Sequence, residues 1–442
     1  MKVIGEIMIN GFSKFSKKEK INWLIENYFH GDFGNKDIIE KYLNSDNIIQ
    51  KLHDELSENT ISNFYLPLGI APNFLINNKD FAIPMAIEES SVVAAASKSA
   101  KFWYSRGGFK TEVIKFKKTG QVHFKFYGNE SSLEAFFKSI KDKLIGECSD
   151  ITENMNKRGG GITAINLINE SSAVNNYYQI NVEFNTVDSM GANFINSCLE
   201  KISQTFENEF KNYNGFSKDD QLEIIMSILS NHTPECLVRA EVSCKIKDLE
   251  SKEITNSKLF VNKFIAAIEI AENNISRAVT HNKGIMNGID SVVIATGNDF
   301  RAVEASAHSY ASLTGKYTSL SHAKIIDDQF TFWMELPFSI GTVGGITNIH
   351  PLVKWCLQLL GNPSAKELMG IIAASGLAQN FAAVKSLVTE GIQAGHMKMH
   401  LNNILNSLNA SSLEKQKITQ ILNSSDISYS LVDQTLQNLR KK

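Results

Sequence analysis

Apolar residues recur along the chain with two periods, and the change from one to the other divides it. Between 14 and 58, Ile21, Leu24 and Ile25, then Ile38, Ile39, Tyr42 and Leu43, stand at helical spacing among Lys, Glu and Asn, which predicts short surface helices. Residues 81–101 (FAIPMAIEESSVVAAASKSAK) read as a strand passing into a helix of Ala and Ser that Glu88 and Glu89 open. Strict alternation takes over at 110–127 around Lys118-Thr119-Gly120, a hairpin signature. Leu133, Phe136, Phe137, Ile140 and Leu144 then share one helical face, 162–168 and 177–187 are strand-like, 191–210 is helical and 222–229 is a short strand. The order ββαββαβ predicts a small α/β sandwich with an antiparallel sheet, close to the split βαβ arrangement. The flanking chain reads alike on both sides. The module is therefore expected to be an insertion, with Gly107-Gly108 and Asn231-His232-Thr233-Pro234 as crossover points.

Downstream, 258–281 is a helix pattern, 291–296 (SVVIAT) a short buried run, and 329–349 a strand, a Gly-rich turn and a strand. Helices at 353–360, 365–375 and 382–389 and a helical, Asn- and Ser-rich tail at 396–442 complete the reading. No run approaches ~18 uncharged apolar residues, so no membrane span is expected, and the N-terminus lacks the apolar core of a signal peptide.

Charge and cysteine usage narrow the classes. Lys+Arg is 45 against Asp+Glu 47 in 442 residues, a net charge of −2, which argues against a protein that neutralises nucleic-acid phosphates or a membrane surface. Five scattered cysteines with no CxxC pair argue against a disulfide framework or a zinc ribbon and suit a reducing cytoplasm. No two histidines stand at ligand spacing with a carboxylate, so no metal is expected.

Three stretches could carry chemistry. Asp188-Ser189-Met190-Gly191-Ala192-Asn193 lies between a strand and a helix, where a glycine lets backbone N–H groups approach a phosphate; it also reads as a helix start capped by Asp188. Glu89, flanked by Met85, Ala86, Ile87, Val92 and Val93, is either a helix-opening carboxylate or a partly desolvated acid able to donate a proton. Arg277, His281 and Lys283 crowd one segment ahead of a buried run that ends Thr296-Gly297-Asn298-Asp299. A lysine there either neutralises an oxyanion or makes an ordinary surface ion pair. Taken singly, His281, His350, His396 and His400 read as structural.

Together these motifs resemble one family, the soluble bacterial (class II) hydroxymethylglutaryl-CoA (HMG-CoA) reductases. The likeness rests on Glu58-Asn59, Leu66-Pro67-Leu68-Gly69-Ile70-Ala71, the run from Pro84 to Ser97, Asp188 to Asn193, Thr280 to Gly288, ATGNDFRAVEA at 295–305, Leu377-Ala378-Gln379-Asn380, and Glu390 to Met397. It spans nearly the whole chain and is weakest at 1–50 and 400–442. It implies an α+β fold: a large mixed helical and β substrate domain (1–109 and 231–394), an inserted small ferredoxin-like (split βαβ) nucleotide-binding domain (110–230), and a C-terminal helical flap (395–442).

The implied reaction is NAD(P)H-dependent reduction of HMG-CoA to mevalonate and CoA by two hydride transfers through a hemithioacetal and an aldehyde. Implied catalytic residues are Lys283 for the developing oxyanion, Glu89 as proton donor, Asp299 holding both in one network, and His396 protonating the departing thiolate. Arg277 is implied to clamp the substrate carboxylate, with Ser91, Asn231, Asn287 and Gln379 lining its pocket. Asp188, Met190, Gly191 and Asn193 fall on the nucleotide-binding motif. Ser62, Ser90 and Ser189 are small departures from the family pattern. Ala164 stands where NADH-preferring relatives carry an aspartate for the ribose. Without that carboxylate a 2′-phosphate meets no repulsion, so NADPH is expected over NADH. The resemblance further implies a homodimer or a larger assembly of dimers, with the active site at the interface and no nucleic-acid or membrane partner. A non-catalytic CoA- or nucleotide-binding homologue, and another CoA-dependent enzyme such as an acyltransferase, are the competing classes. The four catalytic residues occurring together argue against the first, and the nucleotide motif argues against the second.

Overall fold

The computed structural model describes residues 8–389, 401, 404–422 and 428–441. Two units make up the chain. The first, Met1–Pro67, carries α1 (Lys17–Tyr28), α2 (Phe33–Lys41) and α3 (Asn47–Glu55), opened by the side-chain caps Ser16, Asp32 and Asp46. The second, Leu68–Lys442, runs β1 (Leu68–Ile76), β2 (Lys79–Ala86), α4 (Val92–Tyr104), β3 (Lys110–Val113), β4 (Lys118–Tyr127), α5 (Glu130–Gly146), α6 (Ser149–Asn156), β5 (Gly161–Asn169), β6 (Tyr177–Asn185), α7 (Ala192–Asn212), β7 (Gln221–Leu229) and β8 (Leu237–Lys245). It continues through α8 (Ser257–Asn273), α9 (Ile275–Ala295), α10 (Phe300–Tyr310), β9 (Ser321–Ile326), β10 (Gln329–Pro337), α11 (Ile346–Ile349), α12 (Pro351–Leu359), α13 (Ala365–Val388), α14 (Ser412–Ile421) and α15 (Tyr429–Arg440).

An α+β architecture results. Strands β4 to β7 form an antiparallel sheet in the order β5-β6-β4-β7, the split βαβ arrangement, and β4 turns Val122, Phe124 and Phe126 inward against Phe136 and Phe206. A hairpin at 110–127 does not form. β3 pairs instead with β8 in a second sheet, β3-β8-β10-β9, and β4 begins only at Lys118. Gly120, which suggested a turn, is an in-strand residue: a Cβ there would stand 2.5 Å from Leu199 Cδ1, so glycine serves helix packing and not reversal.

The larger core is organised by two helices. Asn274 ends α8 and caps α9 through its side chain, so one residue sets the angle between them. The apolar 291–296 run is the last turn and cap of α9 and not an element of its own. α9 crosses α13 where glycine is required: a Cβ on Gly288 would lie 2.7 Å from the Ser375 carbonyl, and one on Gly376 2.7 Å from Ile289 Cγ1. The two helices expected at 365–389 are one, capped by a Ser364–Glu367 box. α13 is the one described helix long and apolar enough to cross a membrane; 67% of its most apolar window is buried in the protein, as befits a core helix. The second strand expected before 349 is replaced by α11, because Gly344 and Gly345 both take positive φ and turn the chain into a helix. All five cysteines are buried and free.

Candidate active site

Glu89 does not lie in a helix. It sits in the connection between β2 and α4, followed by Ser91 at φ +78°, a left-handed conformation that costs a non-glycine residue ~1–3 kcal/mol. α9 brings two side chains to it: Lys283 Nζ donates to Glu89 Oε2 at 2.7 Å, and Asn287 Nδ2, one turn further, donates to the same oxygen at 3.3 Å. Lys283 is 62% and Glu89 39% exposed. A pair so open contributes only ~0–1 kcal/mol to stability, so the fold does not depend on it and a ligand can reach it. Gln379 approaches from α13 beside Gly288; it is buried, and its Oε1 has no hydrogen-bond partner. A buried amide oxygen left unpaired costs ~1–3 kcal/mol, which a hydrogen-bond donor on a ligand would offset.

Arg277 stands six residues before Lys283, about 9 Å along the α9 axis. Burial pushes its pKa down, and no carboxylate among the described residues pairs with it, so its guanidinium is available to an anionic ligand. Its Nη2 lies 3.5 Å from His281 Nδ1. His281 is buried, with Nε2 2.6 Å from Ser321 Oγ, whose hydroxyl donates to Asn380 Oδ1 at 2.8 Å. Desolvation and the Arg277 charge push the imidazole down to about 3, so it stays neutral and scaffolds the arginine, as its structural reading implies.

The other residues gather elsewhere. Ser189, Met190, Gly191 and Asn193 line a cleft of about 610 Å³ with Asp299 and Arg158. Gly191, at φ +86°, offers no side chain to cap α7, which leaves the first-turn N–H groups of a 21-residue helix for an anion. Val187 at φ +50°, unusual for a β-branched residue, enters this loop. Asp188 caps a different helix from the one its sequence position suggested. Its Oδ1 accepts the Ala365 N–H at 2.7 Å and so ties the loop to the start of α13. Asp299 caps α10 by accepting the Arg301 and Ala302 N–H groups; the hydrogen bonds described at Glu89 come from Lys283 and Asn287.

Ala164 stands on β5 opposite Glu183, outside the lining of the cleft. Asn231 is exposed in a turn that His232 and Thr233 fasten to Ser309 and Ser306 of α10. His396 lies outside the described residues. Among the described residues no group of His, Cys, Asp and Glu could hold a metal. One residue escaped the sequence reading: Lys118, buried at the head of β4 with its ammonium on the carbonyls of the cleft loop. Its signal was a lysine in phase with Gly120, Val122 and Phe124, hidden by the expectation of a turn.

An α+β scaffold that holds an ammonium against a carboxylate in one place, and opens an uncapped helix entrance in another, has the layout of an enzyme acting on anionic substrates. The hydroxymethylglutaryl-coenzyme A reductase family profile matches residues 20–401. The 3-hydroxy-3-methylglutaryl-coenzyme A reductase of Archaeoglobus fulgidus is 35% identical over 94% of this chain and 90% of its own. Two solved structures from Streptococcus pneumoniae are also similar. A 3-hydroxy-3-methylglutaryl-coenzyme A reductase aligns with a TM-score of 0.72 at 33% identity over 97% of this chain and 99% of its own. A class II enzyme bound to NADPH in open conformations aligns at 0.71 and 32% over 96% and 100%. The chain belongs to the hydroxymethylglutaryl-coenzyme A reductase family.

Proposed function

We propose that the protein reduces (S)-3-hydroxy-3-methylglutaryl-CoA to (R)-mevalonate and free CoA with NADPH, and that the Glu89–Lys283–Asn287 centre is where the carbonyl oxygen is held. The single observation that carries this reading is the 2.7 Å contact of Lys283 with Glu89, an ammonium and an acid side by side and open to a ligand. The residues of the α7 cleft fit a dinucleotide: an uncapped helix entrance for its phosphates, with Arg158 on the rim. A reduced nicotinamide bound there would supply one hydride, so the two reductions would consume two molecules of NADPH in succession.

As each carbonyl oxygen gains negative charge, Lys283 stabilises it and Glu89 donates the proton. In the first reduction this gives the hemithioacetal. Its C–S bond then breaks as the hydroxyl returns its proton to Glu89 and the oxygen reforms a carbonyl, while His396 protonates the departing CoA thiolate. The aldehyde left behind is reduced at the same centre. Arg277 takes the free carboxylate of the substrate, with Ser91, Asn231, Asn287 and Gln379 around it, and Asp299 orients the catalytic groups once the ligands are bound. Met190, Gly191 and Asn193 hold the cofactor, Asp188 fixes their loop, and Ala164 presents no carboxylate to repel a 2′-phosphate.

In this reading 110–230 is the cofactor domain, 1–109 with 231–394 the substrate domain, and 395–442 a flap. The enzyme works as a homodimer or an assembly of dimers in the cytoplasm, where five unpaired thiols are stable. The test is oxidation of NADPH and of NADH measured in parallel with HMG-CoA. Faster turnover with NADPH is the expected result. A clear NADH preference would move cofactor choice away from Ala164, and no oxidation of either by folded protein would leave a non-catalytic binding homologue.

A further inference from the structure

Lys118 opens β4 on the face that the strand otherwise fills with Gly120, Val122, Phe124 and Phe126, and only 2% of it is exposed. Its Nζ donates to the carbonyls of Ser189 at 2.8 Å, Met190 at 2.9 Å and Ile340 at 3.1 Å, three acceptors for its three N–H bonds. No carboxylate among the described residues pairs with it; the neighbouring groups are the Phe116 ring, 5.9 Å from Nζ, and the Cys236 thiol. Burial accordingly pushes its pKa down to about 8, the mark of an ammonium kept in a costly place. A methionine would fill the space without that desolvation, so the lysine has to be explained by what it grips.

It grips the two backbone segments that form the cleft. Ser189 and Met190 lead into α7, and Ile340 precedes Gly341, which also lines it. The segments lie so close that a Cβ on Gly341 would fall 2.2 Å from the Met190 nitrogen, and Thr342 N–H donates to the Asp188 carbonyl at 2.8 Å. The grip also orients the loop. In a trans peptide C=O and N–H point in opposite directions. With its carbonyl on Lys118, the Met190–Gly191 peptide turns the Gly191 N–H away from the lysine, and Gly191 lines the cleft.

We propose that Lys118 is the positioning residue of the cofactor cleft. It clamps the 189–190 and 340 backbone so that the α7 entrance is preformed for the phosphates of the dinucleotide, and its uncompensated charge adds to their attraction. The inference rests on the reading of that cleft as the NADPH site.

The test compares the full-length protein with Lys118→Met, Lys118→Arg and Asn193→Ala, measuring the KM of NADPH, the KM of HMG-CoA and kcat. Lys118→Met raises the KM of NADPH by about tenfold, the size of one charge-assisted hydrogen bond, with the KM of HMG-CoA and kcat little changed; Lys118→Arg, which keeps the charge, recovers part of the loss. An unchanged KM for NADPH in folded Lys118→Met, or KM values for both substrates rising together, overturns the role. If Lys118→Met does not fold, Lys118→Gln, which keeps donors without charge, is judged by the same criteria. A rise with Asn193→Ala but not with the lysine variants rejects Lys118 alone. No rise with any of them rejects the cleft itself.

Discussion

The centre at Glu89 and the cleft at α7 are built from opposite materials. In the first, side chains meet one another: Lys283 and Asn287 from one helix converge on one carboxylate oxygen of Glu89. In the second, five glycines (Gly191, Gly297, Gly341, Gly344 and Gly345) put backbone on the lining beside side chains such as Arg158 and Asn193, and other side chains are occupied in shaping it. Asp188 holds the start of α13, Asn298 accepts the Gly341 N–H at 2.8 Å, and Lys118 holds three carbonyls. A substitution in the centre should therefore damage the chemistry, and one in the cleft should damage affinity.

The largest expected effect is that of Lys283→Ala. Without the ammonium the oxyanion of both reductions loses its main partner, and turnover falls by about 10³-fold, the scale of a deleted oxyanion donor. NADPH binding, followed by its fluorescence, is expected to stay within about twofold because the cleft is assembled without Lys283. Free mevaldehyde supplied as substrate isolates the second hydride transfer. If the variant still reduces it at the parent rate, Lys283 is not the oxyanion partner and the division between chemistry and affinity fails at its strongest point.

Gly191→Ala probes the other side with a smaller effect. The residue sits at φ +86°, and an added Cβ would stand 2.5 Å from Thr186 Cγ2, so the turn into α7 must shift. The left-handed backbone alone costs an alanine ~1–2 kcal/mol. The KM of NADPH is expected to rise by about tenfold or more, with the KM of HMG-CoA unchanged. Equal increases for both substrates would mean that the centre and the cleft are mechanically one site.

The same contrast explains what could be read from the sequence. Residues whose chemistry is in the side chain announced themselves: Glu89, Lys283 and Arg277 stood out because an acid, a lysine and an arginine beside apolar runs need explaining, and family resemblance gave them roles. The split βαβ sheet was legible from its alternation once β3 is set aside, because inward positions such as Val122 and Ile180 repeat with period two. What was not legible is set by three-dimensional packing. Gly120 looked like a turn but serves the approach of Leu199, and Asp188 looked like the cap of its own helix but reaches one 177 positions away. The 291–296 run looked separate, although Gly288 lets α9 continue through it against α13. Local pattern carries no record of which distant carbonyl a side chain will meet.

One pair of residues joins the two regions and gives the smallest and most selective test. Asp290 lies seven positions after Lys283 on α9, and Glu304 lies on α10, the helix that Asp299 caps at the cleft. Burial, with the charge and hydrogen bond of Glu304 behind it, pushes the Asp290 carboxyl up to about 8, and its Oδ1 has no hydrogen-bond partner. The folded protein therefore keeps a proton that the unfolded chain releases in the ordinary carboxylate range. Stability from this group is complete at acid pH, declines as pH rises towards about 8, and levels off once Asp290 ionises in both states. An asparagine side chain has no proton to lose. Asp290→Asn is thus expected to match the parent melting temperature near pH 4 and to exceed it near pH 8.5, with the gap opening progressively as the pH rises between the two. Catalysis at neutral pH should move by less than about twofold, because the substitution leaves Lys283 and Asp299 their described partners. Melting curves for the two proteins that run parallel from pH 4 to 8.5 would show that the carboxyl pair shares no proton, and the two helices would then be joined by packing alone.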